Sequence, residues 1–391
     1  MKKESGSVVV LGNHIQALEI IRSLGRHGIK TYLLNDKSLC LGHFSKYTTK
    51  FFEAPLKDEN ALLDFLMTEL RKQKDIKGSI LIPTNESMVS FISKNKKTLE
   101  GYYKVPTPDY EIILSTLDKK LTALVAEKID LPIPKAIYAA DNPKFLEEIS
   151  KIKFPIIIKG IDGYEFRTKT RSKVFVVNSK EDFESIYNKV CSRIDPSRIM
   201  IQEVIPGNPE DVYSFCSFFK NNELKCYWIG HKLREHPMGF GTGTLAESIK
   251  VPELVELGSR FLKAINYYGI SEIEFKKDAR TGKFILIEIN PRTWLWHSLA
   301  RTSGFDFPYI LYKDMMGESI NFNSDYRGGV KWLHFFPDLE VVIKEILRGR
   351  MNITDYLKSL NGEVELAVFS WDDPIPFFAE ILLLPYLKLV R

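Results

Sequence analysis

Short apolar runs alternating with amphipathic stretches occupy the first third of the chain. Residues 7–12, SVVVLG, read as a buried strand, and Ala17, Leu18, Ile21 and Leu24 then recur at helical spacing before Gly28. A second strand over residues 31–34 ends at Asn35-Asp36, and a strand-helix-strand opening favours a parallel sheet. The alternation continues with a helix over 60–72, a strand over 79–82, a helix after Pro83-Thr84-Asn85-Glu86, a strand-like 102–105 and a helix past Pro106 and Pro108. Residues 1–115 are therefore expected to form a small doubly wound, Rossmann-like domain.

The rhythm then changes. A helix over 118–128, with Asp118 placed to cap it, is stopped by Pro132 and Pro134. Strands follow at 154–159 (FPIIIK), 174–177 and 199–205 (IMIQEVI), and two more over 212–219 and 224–233 flank a turn at Asn221-Asn222. A helix over 253–267 leads into ISEIEFKKDARTGKFILIEINPR, residues 270–292, which reads as a hairpin turning at Thr281-Gly282. From about residue 322 a small appendage remains, ending in the helical IPFFAEILLLPYLKLVR.

The last hairpin carries the strongest chemistry. Side chains alternate along a strand, so Glu272 and Glu274 share a face, as do Glu288 and Asn290. A hairpin centred near Thr281 sets positions 274 and 288 opposite each other, with cross-strand neighbours about 5 Å apart. Two opposed carboxylates flanked by Ile273, Phe275, Leu286, Ile287 and Ile289 need either basic partners or a hard divalent cation. Spacing alone leaves both open.

Composition narrows the class. The 391 residues are 44% hydrophobic and 27% charged with a net charge of +5, which describes a globular chain of two or three domains and makes no case for a nucleic-acid protein. Cys40, Cys191, Cys216 and Cys226 lack metal or redox spacing and read as thiols in a reducing compartment, and the histidines form no zinc motif. No run reaches the length of a membrane span, and a cytoplasmic enzyme is expected.

Acid-in-strand, hairpin, then Glu-Ile-Asn-Pro-Arg resembles the metal-binding core of the ATP-grasp superfamily. That resemblance implies an α/β and α+β multidomain fold: a Rossmann-like domain (1–115), an ATP-grasp domain (116–320, lid 132–206, core 207–320) and a C-terminal appendage (321–391). It implies that Glu274, Glu288 and Asn290 hold Mg²⁺ or Mn²⁺ and that Arg292 faces the transferred phosphoryl group. It implies that Lys119 and Lys159 bind ATP, that Gln202-Glu203-Val204 is the adenine hinge, and that Glu210 or Asp211 meets the ribose. The activity implied is ATP-dependent joining of a small-molecule carboxylate to an amine through an acyl phosphate. KLREHPMGFGTGTLAES (232–248) resembles the group that contains D-aspartate ligase, with Lys232, Arg234 and Gly241 implied at the substrate. Biotin carboxylase and the carbamoyl phosphate synthetase large subunit are more distant in pattern.

The lid departs from the family. Where a glycine run is usual, the chain has GIDGYEFRTKTRSKVF, and an extended segment would set Arg167, Lys169, Arg171 and Lys173 on one face, as phosphate donors or as a solvated edge. Lys232 and Arg234 are likewise expected on one strand face, and Gly239, Gly241 and Gly243 are expected to let backbone approach a ligand. Three other classes stay open: an ATP-grasp kinase, a dehydrogenase resting on Gly12 to Asp36, and a non-catalytic nucleotide sensor. A homodimer and a peripheral membrane contact through the C-terminus are also left open.

Overall fold

The structure, a computed structural model, describes residues 6–139, 145–320 and 325–390, with side chains at 146, 150 and 387–390 left aside. The expected start of the C-terminal segment near residue 322 lies outside the described residues, as do residues 1–5 and 391. Four strands open the fold: β1 (Val8–Leu11), β2 (Thr31–Asn35), β3 (Thr48–Glu53) and β4 (Ile80–Pro83). They pair in parallel in the order β3-β2-β1-β4. β1 is flanked on both sides and its four residues are fully buried, which is why it reads as an unbroken apolar run. β3 lies at the edge with a half-exposed TTKFFE sequence, so the periodicity gives it no signal.

A second sheet consists of β5 (Ala136–Tyr138), β6 (Ile156–Gly160), β7 (Phe175–Val177) and β8 (Ile199–Glu203), antiparallel in the order β5-β8-β6-β7. It has its own core of Ile156, Ile158, Phe166, Val177, Ile199 and Ile201. Between β6 and β7 the chain is not extended: Gly163–Thr170 is a helix. Asp162 caps it by accepting from the Glu165 N–H at 2.9 Å, and Phe166 and Thr170 turn inward one helical step apart. A cap and an inward i, i+4 pair outweigh the alternating charges.

The central sheet has seven strands: β9 (Val212–Lys220), β10 (Glu223–His236), β11 (Thr242–Ser248), β12 (Gly269–Lys277), β13 (Phe284–Asn290), β14 (Lys331–Leu333) and β15 (Val364–Leu366). Their order is β13-β12-β9-β10-β11-β14-β15, so the C-terminal segment extends this sheet through two strands. Asn221 and Asn222 both take positive φ, 54° and 60°, at the tight β9-β10 turn. Trp228, Trp294 and Trp332 are fully buried beneath the sheet, with Trp296 and His297 nearly so; the aromatics after Arg292 are core.

Charge fastens the two ends of the chain. Arg22, wholly buried, donates to Glu19 (2.7 Å), to Asp373 through Nε (2.9 Å) and to the Val368 carbonyl (2.8 Å). Asp373 also accepts from Ser45 Oγ (2.6 Å) and the Lys46 N–H (2.9 Å). Arg22→Ala would leave Asp373 buried without its cation, so we expect a loss of about 3–5 kcal/mol in urea unfolding and earlier proteolysis near residue 370.

Candidate functional site

The β12-β13 register sets Glu272 against Asn290 and Glu274 against Glu288, and a register shift follows immediately, between Glu274 and Phe275. Leu286 pairs with Phe275, which leaves Ile287 as the extra residue of a bulge. One sheet face therefore carries three carboxylates and an amide. Each acid is answered differently. Lys232 Nζ lies 3.2 Å from both oxygens of Glu274, and Lys119 Nζ lies 3.7 Å from Glu288. Glu272 accepts from Ser214 Oγ (2.8 Å) and from Asn290 Nδ2 (3.0 Å). Asn290 Oδ1 accepts from Arg292 (2.9 Å), whose guanidinium also pairs with Glu86 of the N-terminal domain at 2.6 Å.

These neighbours set the protonation states. Burial works against charge on Glu288, but Lys119, Lys173, Lys159 and Arg292 together bring its carboxyl below the usual range. Burial also opposes the Lys232 charge, yet Glu274, Glu272 and Glu235 raise it above an ordinary lysine. Glu272 is pushed up to about 7 by burial and by Glu274. Lys159, only 7% exposed, is lowered to about 7 by burial first and by Lys119 second.

A cleft open to solvent runs between the β5-β8-β6-β7 sheet, the N-terminal segment and β13. Lys119, Lys159, Gln202 and Glu288 line it together, with Glu86, Asp162, Gly163 and Tyr164. The lid helix begins at this wall, where Lys119 Nζ would lie 3.0 Å from a Cβ on Gly163. Glu86, Asp162 and Gly163 escaped the sequence reading, although Asp162-x-x-Glu165 carries a capping signature.

Other expected residues do not line the cleft. Glu203 ends β8, but its carboxylate accepts from the Lys135 N–H (2.9 Å), and Val204 follows it out of the strand. Asp211 accepts from the Asn208 N–H (2.7 Å), Glu210 offers its carbonyl to His231, and neither lines the cleft. In the lid helix Arg167 and Lys169 lie two residues apart and cannot share a face, and Lys169 pairs with Glu165 at 2.8 Å. Arg171 takes the left-handed C-cap, and of this group Lys173 is the one whose charge acts on Glu288.

Arg234 is the clearest correction. Register shifts around it on β10 break the alternation, so Glu235, not Arg234, shares Lys232's surroundings. Arg234 Nε and Nη2 each donate to Asp338 at 2.9 Å, and Nη1 donates to Ser359. Gly241 is likewise required by its own loop, because a Cβ there would lie 1.9 Å from the Pro237 carbonyl, while Gly239 takes φ +79° and Gly243 rests against the Lys232 stem.

The hairpin oxygens suit a hard cation. Among the described residues no three His, Cys, Asp or Glu side chains gather in metal-holding geometry, so Glu274, Glu288 and Asn290 would need phosphate oxygens to complete a Mg²⁺ shell.

No family model matches the chain. Over 244 residues it is 25% identical to D-aspartate ligase of Enterococcus faecium, a match that covers 58% of each chain. The fold aligns with N5-carboxyaminoimidazole synthetase from Staphylococcus aureus complexed with ADP, at TM-score 0.67 and 14% identity over 88% of this chain and 87% of that one. It also aligns, at TM-score 0.64 and 17% identity over 83% and 73%, with the biotin carboxylase domain of Hydrogenobacter thermophilus 2-oxoglutarate carboxylase in complex with MgADP, ADP and bicarbonate. The chain has the ATP-grasp fold.

The chain spans under two thirds of the length of that D-aspartate ligase. The sheet that holds Lys159 and Gln202 carries the helix Gly163–Thr170 between β6 and β7.

Two tests follow from this geometry. Arg234→Lys loses a bidentate pair with Asp338, so it should cost about 1.5–3 kcal/mol of stability in urea unfolding. Lys159 is an amine above about pH 7 and an ammonium below it, so meeting an anion at pH 8 requires proton uptake. Calorimetry of nucleotide binding in two buffers of different ionisation enthalpy should show that uptake at pH 8, less of it at pH 6, and none in Lys159→Met.

Proposed function

We propose that this chain is an ATP-dependent ligase that joins a carboxylate to an amine through an acyl phosphate, releasing ADP and phosphate. The observation that carries the reading is the convergence of Glu274, Glu288 and Asn290 on one sheet face beside a cleft lined by Lys119 and Lys159. Glu274, Glu288 and Asn290 would hold magnesium, which when bound offsets charge on the phosphate oxygens.

The chain's own residues do the rest by position and charge. Lys119 and Lys159 draw the phosphates to the cleft wall, and the first N–H groups of the lid helix add donors at the same wall. The carboxylate oxygen attacks the γ-phosphorus as the bond to ADP breaks; the amine then adds to the acyl carbon, its N–H proton passes to solvent, and phosphate leaves with its electron pair. Arg292, held between Asn290 and Glu86, lies where it can stabilise oxygens that gain charge. The hinge belongs to the same reading, with Gln202 in the cleft and Glu203-Val204 offering backbone to the adenine edge. This route needs no Ser, Cys or His nucleophile. Lys232 with Glu235 would border the acid substrate in place of the earlier pairing with Arg234.

A cytoplasmic setting is part of the proposal, and the four cysteines, which form no disulfide, agree with a reducing one. Among the described residues no helix is long and apolar enough to cross a membrane, and no finding supports a membrane-resting role for the C-terminal helix (Ile375–Val390).

Wild-type protein given ATP, Mg²⁺ and a panel of amino acids with hydroxylamine should yield a hydroxamate from its true acid, and phosphate release should rise when the true amine is added. Hydroxamate failure alongside a phosphorylated hydroxyl product would make the chain a kinase. Glu288→Gln should lower ATP turnover by at least about 100-fold with an unchanged far-ultraviolet spectrum, since it removes charge from a ligand that serves the phosphates.

A further inference from the structure

Glu272 is the acid the proposed chemistry does not use. It is 3% exposed in the middle of β12, one alternation deeper than Glu274, and its hydrogen-bond partners are both neutral. Burying a carboxylate with neutral partners beside another carboxylate works against folding, and a serine or valine would serve the sheet better. Its two contacts explain what it does. Ser214 Oγ, from β9, donates to Oε1 and fixes the carboxylate; Oε2 then accepts from Asn290 Nδ2 across the strand pair.

The opposite end of the same amide is fixed as well, because Arg292 donates to Asn290 Oδ1 at 2.9 Å. An amide can present either its oxygen or its NH₂ to a given side, and only the oxygen ligates a cation. With a carboxylate at one end and a guanidinium at the other, rotation would set oxygen against oxygen and NH₂ against a cation. Both contacts would turn repulsive.

We infer that Glu272 is a positioning residue that locks the Asn290 side chain with its NH₂ toward β12 and its carbonyl oxygen on the Arg292 side, so that a metal-nucleotide finds that ligand already oriented. The inference rests on the metal reading of the hairpin. Side-chain partners of this kind typically change metal affinity by about 10- to 100-fold when removed.

The test is direct binding of Mn²⁺ in the presence of ADP, followed by the electron paramagnetic resonance signal of free Mn²⁺, which needs no turnover. Glu272→Ala should raise the Mn²⁺ dissociation constant by about 10- to 100-fold. Glu272→Gln keeps an acceptor for Asn290 Nδ2 and should stay close to wild type. Ser214→Ala, a milder change suited to the case in which Glu272→Ala does not fold, should weaken Mn²⁺ in the same direction by less.

If Glu272→Gln loses as much as Glu272→Ala, the carboxylate acts through its charge and the positioning role is overturned. Unchanged affinity in Glu272→Ala, or in Ser214→Ala where that is the variant that folds, overturns it too. Wild-type protein that binds no Mn²⁺ with ADP, or Asn290→Ala that binds it as well as wild type, overturns the metal reading itself. That result is distinct, because it is read before any change at position 272.

Discussion

Two like charges held across a strand pair are the constraint on which the rest of this structure turns. Glu274 and Glu288 face each other because the β12-β13 ladder leaves them no alternative, and a sheet does not tolerate that arrangement without compensation. Compensation comes from outside the hairpin. Lys232 arrives from β10, while Lys119 arrives from the start of the helix that links the N-terminal domain to the lid. The cleft is thus assembled by electrostatic need: the acids define where basic side chains from distant segments must converge. The bulge at Ile287 lies next to this pair, where it ends the regular pairing beside the acids it adjoins.

How much of this was legible follows from the range of each signal. The hairpin register could be read because side-chain alternation and turn position are local, and they set Glu274 opposite Glu288 as expected. The lid failed for a local reason that was present but outweighed in the reading: alternating Arg167, Lys169, Arg171 and Lys173 suggested a strand, while Asp162, Glu165 and the inward Phe166-Thr170 pair specified a helix. Arg234 failed for a non-local one. Nothing near it in sequence announces a bulge, and its partner Asp338 lies 104 residues away. The edge strand β3 escaped because an edge need not be apolar.

Arg234 also changes the meaning of the C-terminal segment. Asp338 is fully buried and accepts from Thr244 as well as Arg234, so the helix Phe335–Leu347 is riveted to β10 and β11. Of these, β10 carries both Lys232 and Glu235. With β14 and β15 completing the sheet and Asp373 gripping Arg22, the segment braces the far side of the sheet that carries Glu274 and Glu288. An appendage in sequence is a buttress in space.

The lid helix has a thermodynamic consequence of its own. A flexible glycine loop that closes over a nucleotide must surrender its backbone freedom at each encounter, at about 1–2 kcal/mol of entropy for every residue ordered. Here Gly163–Thr170 is already helical, its turn capped by Asp162 and its inner side packed through Phe166. That freedom was given up once, when the chain folded. A ligand that binds beside Gly163–Thr170 therefore meets backbone that is already ordered, and the ordering cost falls on folding and not on binding.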